Sequence, residues 1–151
     1  MPGPPQTEPI GLQLTRTSKV VSRAFDAALA EVGGTLPTWL VLASLKGQRH
    51  GAQRHLARAM GIEGPTLTHH LNRMEAAGLV TRTRDPENRR VHRVELTKKG
   101  EDTFRRLLKA VIAFDQGLRA GFSEREITGL SDTFTRLRAN VGDPARLEVT
   151  S

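Results

Sequence analysis

The sequence predicts a mainly α-helical fold with one small β-hairpin, an α+β arrangement in which helices from both ends of the chain frame a basic centre. Three observations predict it. Apolar residues recur at helical spacing along most of the 151 residues, and the period switches to alternation only between Val80 and Leu96. The net charge of +7 is also local: from Lys46 to Lys99 there are 12 basic residues against five acidic ones, whereas the flanks carry 11 of each. All five His lie inside that segment.

The elements follow in order. Residues 1–9 hold four of the eight prolines and read as a flexible arm. From Ile10 the set Leu14, Val21, Phe25, Ala28 and Val32 keeps to one helical face and stops at Gly33-Gly34. A second helix opens at Thr35 or Leu36, with Pro37 in its first turn and Trp39, Leu42, Ala43 and Leu45 as its inner set. Residues 52–60 and 65–77 read as two short helices. The first ends at Gly61, suited to the left-handed position after a helix, and the second begins at Pro65, where a missing N–H costs nothing. Leu67, Leu71 and Met74 point inward before Gly78 ends it.

After Gly78, Val80 to Arg84 and His92 to Leu96 alternate around the turn Asp85-Pro86-Glu87-Asn88, which reads as a hairpin with a basic tip. Thr97 caps a long helix with the stripe Phe104, Leu107, Leu108, Val111, Ile112 and Leu118. Ser123-Glu124-Arg125-Glu126 is a capping box for the last helix, whose seam is Ile127, Leu130, Phe134, Leu137 and Val141. A short helix pair followed at once by a hairpin is the order of a winged helix-turn-helix. The expected organisation is an arm over 1–9, a winged helix lobe over 35–97, a helical dimerisation layer from 10–34 and 98–142, and a tail over 143–151. Three terminal stripes without a second core of their own point to a homodimer.

Composition excludes several function classes. No Cys is present, which removes disulfides, thiolate zinc sites and thiol redox chemistry. No Gly-rich phosphate loop, G-x-S-x-G or H-E-x-x-H occurs, so an enzyme is not expected. No cofactor is expected either. His50 and His55 are five apart and His69-His70 are adjacent, so neither pair has the i, i+4 geometry of a chelate. There is no signal-like apolar segment near the N-terminus and no run of 18 apolar residues, and a cytoplasmic location is expected. A basic segment within neutral flanks is the electrostatic footprint of a nucleic-acid binder.

The stretch from Gly61-Ile62-Glu63-Gly64-Pro65 through Ala77-Gly78-Leu79-Val80, with Arg84-Asp85-Pro86-Glu87-Asn88-Arg89-Arg90 and Glu95-Leu96-Thr97-Lys98-Lys99-Gly100, resembles the MarR family of bacterial winged-helix regulators. The Ile-Glu-x-Pro turn is similar to the SlyA branch. The resemblance implies a homodimer that binds a pseudo-palindromic operator, as a repressor, and lets go when a small aromatic or phenolic anion enters a crevice beside the dimer helices.

Carried onto this sequence, the recognition helix offers Thr66, Thr68, His69, His70 and Arg73 to the major groove. His69 stands where SlyA-like proteins have Arg. The wing offers Arg84, Arg89 and Arg90, with Arg90 as the residue for the minor groove and Asn88 in place of the family's Asp. Arg82 and Arg93 are expected at phosphates or in solvent. The implied effector pocket takes Arg16, Lys19, Thr38 and Trp39. The alternatives are a metal-responsive regulator or a winged helix that binds duplex without sequence preference.

Overall fold

The computed structural model describes residues 3, 6–48, 50–88 and 92–142. The elements run α1 (Ile10–Glu31), α2 (Leu36–Gln48), β1 (His50–Ala52), α3 (Gln53–Met60), α4 (Gly64–Ala76), β2 (Val80–Arg84), β3 (His92–Leu96), α5 (Lys98–Arg119) and α6 (Glu124–Asn140). The contacts divide the chain into two units, residues 1–114 and 115–151.

The core of the first unit is one cluster. Leu29 from α1, Val41, Leu42 and Leu45 from α2, Leu56 and Ala57 from α3, and Leu67, Leu71 and Met74 from α4 meet Val80, Val94 and Leu107. Each fully buried aliphatic side chain contributes roughly 1.5–3 kcal/mol, so this cluster fixes where α4 sits. Trp39 stacks on Phe104 with ring centroids 5.5 Å apart, and Phe25 tilts against Phe114 at 5.0 Å. Gly34 is buried where a Cβ would stand 2.3 Å from Leu107 Cδ2, so a larger residue there has to displace the buried Leu107 side chain.

The sheet corrects the sequence reading. It has three strands, in the order β1-β3-β2, because His50–Ala52 adds to the hairpin as a third antiparallel strand. Three residues are too few for a period to show. The hairpin register pairs Val80 with Leu96, Arg82 with Val94 and Arg84 with His92. Arg82 therefore shares the inner face with buried Val80 and Val94, against the expectation that it meets phosphate or solvent.

Three bonds join the end of α4 to the start of α5. Lys99 Nζ donates to Ala77 O at 2.7 Å, Thr97 Oγ1 donates to Gly78 O at 2.6 Å, and Thr97 N–H donates to Leu79 O at 3.1 Å. The Thr97 hydroxyl also accepts from Gly100 N–H at 3.0 Å, which caps α5 as expected. Gly100 packs so closely that a Cβ would lie 2.1 Å from Leu79 O.

In the second unit, Ser123 caps α6 through a full capping box, with Glu126 N–H donating to Ser123 Oγ at 3.1 Å. No residue of α6 is buried within the chain, and Leu118, Phe122, Leu130, Phe134 and Val141 are exposed. In the first unit α1 likewise exposes Ile10, Leu12, Leu14 and Val20. The inner set of α1 is its C-terminal half, where Leu29 is buried and Val21, Phe25 and Ala28 are half-buried, as is Val32 just after it. Among the described residues no single helix is long and apolar enough to cross a membrane.

Candidate nucleic-acid interface

α3 and α4 are joined by Gly61 to Glu63, with Gly61 at φ +66°, the left-handed conformation that Gly adopts without strain. Pro65 opens α4, and Leu67, Leu71 and Met74 anchor it. That anchoring leaves Thr66, His69 and Arg73, at i, i+3 and i+7, as one exposed strip. A hydroxyl, an imidazole and a guanidinium on one helix face are donors and acceptors suited to base edges and phosphates.

Two residues expected on that strip lie elsewhere. Thr68 is half-buried; its hydroxyl donates to Gly64 O at 3.0 Å and accepts from Gln53 Nε2 at 2.6 Å, which ties α4 to α3. His70 is half-buried on the opposite flank, its ring 5.9 Å from that of His69 and tilted by 56°. No group of three or more metal-ligating side chains occurs among the described residues.

In the wing, Arg84 is exposed at the end of β2. Arg89 and Arg90 lie outside the described residues. Arg93 is not a free cation: it pairs with Asp85 at 3.3 Å. Asp85 also accepts from Glu87 N–H at 2.9 Å. That amide, and then Arg93, hold its carboxyl below the usual range. The turn is thus organised by Asp85 at its first position.

Sequence reasoning missed a second pairing. Arg82 reaches α4, where Nε donates to Glu75 Oε2 at 3.2 Å and a terminal nitrogen donates to Asn72 Oδ1. The Arg82 side chain, by its hydrogen bond first and its charge after, draws the Glu75 carboxyl below its ordinary value. A helix-to-strand pair seven residues apart leaves no periodic trace.

The residues expected around an effector separate. Arg16 pairs with Glu8 at 2.7 Å, and Lys19 is exposed on α1. Trp39 is half-buried in its stack on Phe104. Thr38 lines a cleft of about 570 Å³ with His70, Arg73, Lys99 and Arg106, over a floor that includes Met74 and Leu79. Neither Arg16, Lys19 nor Trp39 lines that cleft, and among the described residues no carboxylate does. Lys99 and Arg106 were not anticipated, because their side chains enter it from a helix read only for its apolar stripe.

Residues 35–92 match the family model for the MarR family, a span that takes in α2, the helix pair and most of the hairpin. The chain carries a MarR-family domain. The winged helix is the DNA-binding fold of MarR-family transcriptional regulators, and solved structures extend the likeness over the rest of the chain. The transcriptional repressor CouR, solved bound to a 23-mer DNA duplex, is 28% identical, with a TM-score of 0.80 over 85% of this chain and 92% of that one. A MarR-family transcriptional regulator from Rhodococcus sp. RHA1 is 27% identical, with a TM-score of 0.75 over 85% of this chain and 91% of that one. An organohalide-sensing transcriptional regulator in its 2,4-dichlorophenol-bound form is 24% identical; its TM-score of 0.79 covers 97% of this chain and 89% of that one. At that identity the likeness is of fold alone.

Proposed function

We propose that the protein is a sequence-specific regulator that binds duplex DNA as a homodimer at a pseudo-palindromic operator, and that it acts as a repressor. The observation that carries this reading is the exposed strip Thr66, His69 and Arg73, on a helix that belongs to the matched domain and to the segment holding the whole charge excess. Arg73 supplies phosphate or guanine contacts, and Thr66 and His69 supply base-edge contacts. Thr68 ties the helix to α3, and His70 lines the cleft beside Thr38. Arg84 meets a phosphate beside the wing, and Arg89 and Arg90 are the residues proposed for its tip. The exposed apolar faces of α1 and α6 are surfaces for the second protomer. They favour a dimer because large apolar side chains are otherwise costly in water.

Selection of duplexes from a random pool tests the reading. The expected consensus has two inverted half-sites with centres about 10 bp apart, one helical turn on one face. An unpaired half-site or no consensus refutes it and favours binding without sequence preference. In a dimer, Arg73→Ala is expected to reduce the salt slope of binding by about two units.

A small organic anion is the proposed effector. The cleft beside Thr38 combines Arg73, Lys99 and Arg106 with an apolar floor, so an occupant competes with DNA for Arg73. Arg16, Lys19 and Trp39 stand outside this cleft, so of the four residues implied for the effector only Thr38 lines it. Titration of the DNA complex with aromatic carboxylates tests it; release in the parent protein and none in Arg106→Ala is the expected result.

A further inference from the structure

The wing is fastened to α4 by a clamp that uses one side chain and its own main chain. Arg82 lies on the inner face of the sheet, opposite Val94, and its side chain is only 19% exposed. Its Nε donates to Glu75 Oε2 at 3.2 Å, and one terminal nitrogen reaches Asn72 Oδ1 and, at 3.5 Å, Glu75 Oε1. The Arg82 backbone N–H donates to the same Glu75 Oε2 at 3.2 Å. Asn72 and Glu75 are three apart on α4, so both acceptors stand on one flank. That flank borders the exposed strip of Thr66, His69 and Arg73.

We propose that Arg82, held by Glu75 and Asn72, is a positioning residue for duplex binding, which fixes the angle between the wing and the recognition helix. This rests on the DNA-binding reading above. A winged helix enters two neighbouring grooves at once, so the hairpin must stand at a set distance and angle from α4. A two-stranded ribbon, widened here only by three residues of β1, has little rigidity of its own. A guanidinium fork against a carboxylate supplies direction as well as energy, and a lysine ammonium cannot span the same two acceptors.

The clamp separates two expectations by sign. Glu75 is a negative charge beside the surface that meets phosphates, so charge alone says that removing it tightens binding. If Arg82 were a phosphate contact, freeing it from Glu75 would also tighten binding. As part of a clamp, Glu75 strengthens binding, and its loss weakens it despite the added positive charge.

The test measures affinity of the full chain for its selected operator by fluorescence anisotropy, with variants Glu75→Ala, Arg82→Ala, Arg82→Lys and Asn72→Ala. Glu75→Ala is expected to bind about threefold to tenfold more weakly, the range of a partly exposed ion pair with supporting hydrogen bonds. Arg82→Lys is expected to bind as weakly as Arg82→Ala, and the milder Asn72→Ala about twofold more weakly. Hydroxyl-radical footprints are expected to lose protection at the wing and keep it at the centre of each half-site. Without DNA, hydrogen exchange at the Arg82 amide is expected to quicken in Glu75→Ala.

Glu75→Ala binding as tightly as the parent, Arg82→Lys restoring parental affinity, or unchanged exchange at the Arg82 amide each overturns the clamp. If Glu75→Ala does not fold, unchanged binding by Asn72→Ala overturns it. A parent protein that retains no duplex overturns the DNA-binding reading alone, since the amide exchange reports on the clamp without DNA.

Discussion

Substituting Gly100 by Ala sets two physical effects against each other. Gly100 is in the first turn of α5, where Ala is favoured over Gly by about 1 kcal/mol in helix propensity. The added methyl, however, would stand 2.1 Å from Leu79 O and 3.2 Å from Leu96 Cδ2. A carbon and a carbonyl oxygen rest at about 3.3 Å, so α5 must retreat from Leu79 by about 1 Å. Overpacking of this kind costs about 1–3 kcal/mol. The retreat also stretches the bond from Thr97 N–H to Leu79 O, now 3.1 Å, whose loss costs about 1 kcal/mol.

Net of the propensity gain, Gly100→Ala is expected to destabilise by about 2 kcal/mol. At this chain length that is a fall in Tm of about 4–8 °C. Thermal unfolding followed by circular dichroism at 222 nm reads it. Gly47→Ala is the control, since an added Cβ at Gly47 in α2 meets nothing within 4 Å. It is expected to leave Tm unchanged or raise it slightly. A Tm for Gly100→Ala at or above that of the parent would refute the claim that backbone contact outweighs propensity.

Other outcomes are equally specific. Leu107→Ala removes a fully buried side chain that meets Gly34, and is expected to cost about 2–5 kcal/mol in urea unfolding. Thr68→Val breaks the tie to Gln53 and is expected to lower stability by about 1 kcal/mol while leaving the base preferences of the selected operator unchanged. Leu130→Glu with Phe134→Glu places charges on the exposed face of α6 and is expected to yield monomers in sedimentation while the near-UV signal of Trp39 persists. The wing is also expected to be pH-sensitive. Glu75 and Asp85 both have carboxyls held below their ordinary values, so their contribution to stability is complete above the usual carboxylate range and is lost as pH falls through the lowered folded values. Amide exchange at Arg82 and Glu87 should be slow and constant near pH 6 once corrected for intrinsic rates, and should accelerate in acid. Protection that persists in strong acid would contradict this.

Sequence periodicity locates every long element because each carries one apolar stripe, whether the chain buries it, as in α4, or leaves it exposed, as in α6. The Pro65 start, the Gly61 and Gly78 stops and the caps at Thr97 and Ser123 are local chemistry, legible within four residues. The exposed strip of α4 is legible for the same reason: once Leu67, Leu71 and Met74 face inward, Thr66, His69 and Arg73 must face out. Thr68 shows where such reasoning stops. Its angular position borders the strip, but a partner 15 residues away on another helix captures its hydroxyl. Arg82 fails for a related reason, since alternation puts it on one face of a strand and cannot say which face meets the helices. β1 escapes because its pairing with β3 spans more than 40 residues of chain and uses only main-chain groups. Arg106 sits 74 residues from Val32, whose carbonyl it holds at 3.0 Å, a distance over which no local pattern operates.

The three bonds between the end of α4 and the start of α5 have a mechanical consequence. Ala77, Gly78 and Leu79 each present a carbonyl to Thr97 or Lys99, so a change of angle between the two helices strains these bonds. Between Lys98 and Phe114, α5 runs about 24 Å at 1.5 Å per residue. A displacement of about 2 Å at its far end is therefore a tilt of only about 5° at the corner, which adjoins the helix that bears Arg73. A change in how the long helix is seated is therefore felt first at the C-terminal end of α4, through the bonds of Thr97 and Lys99.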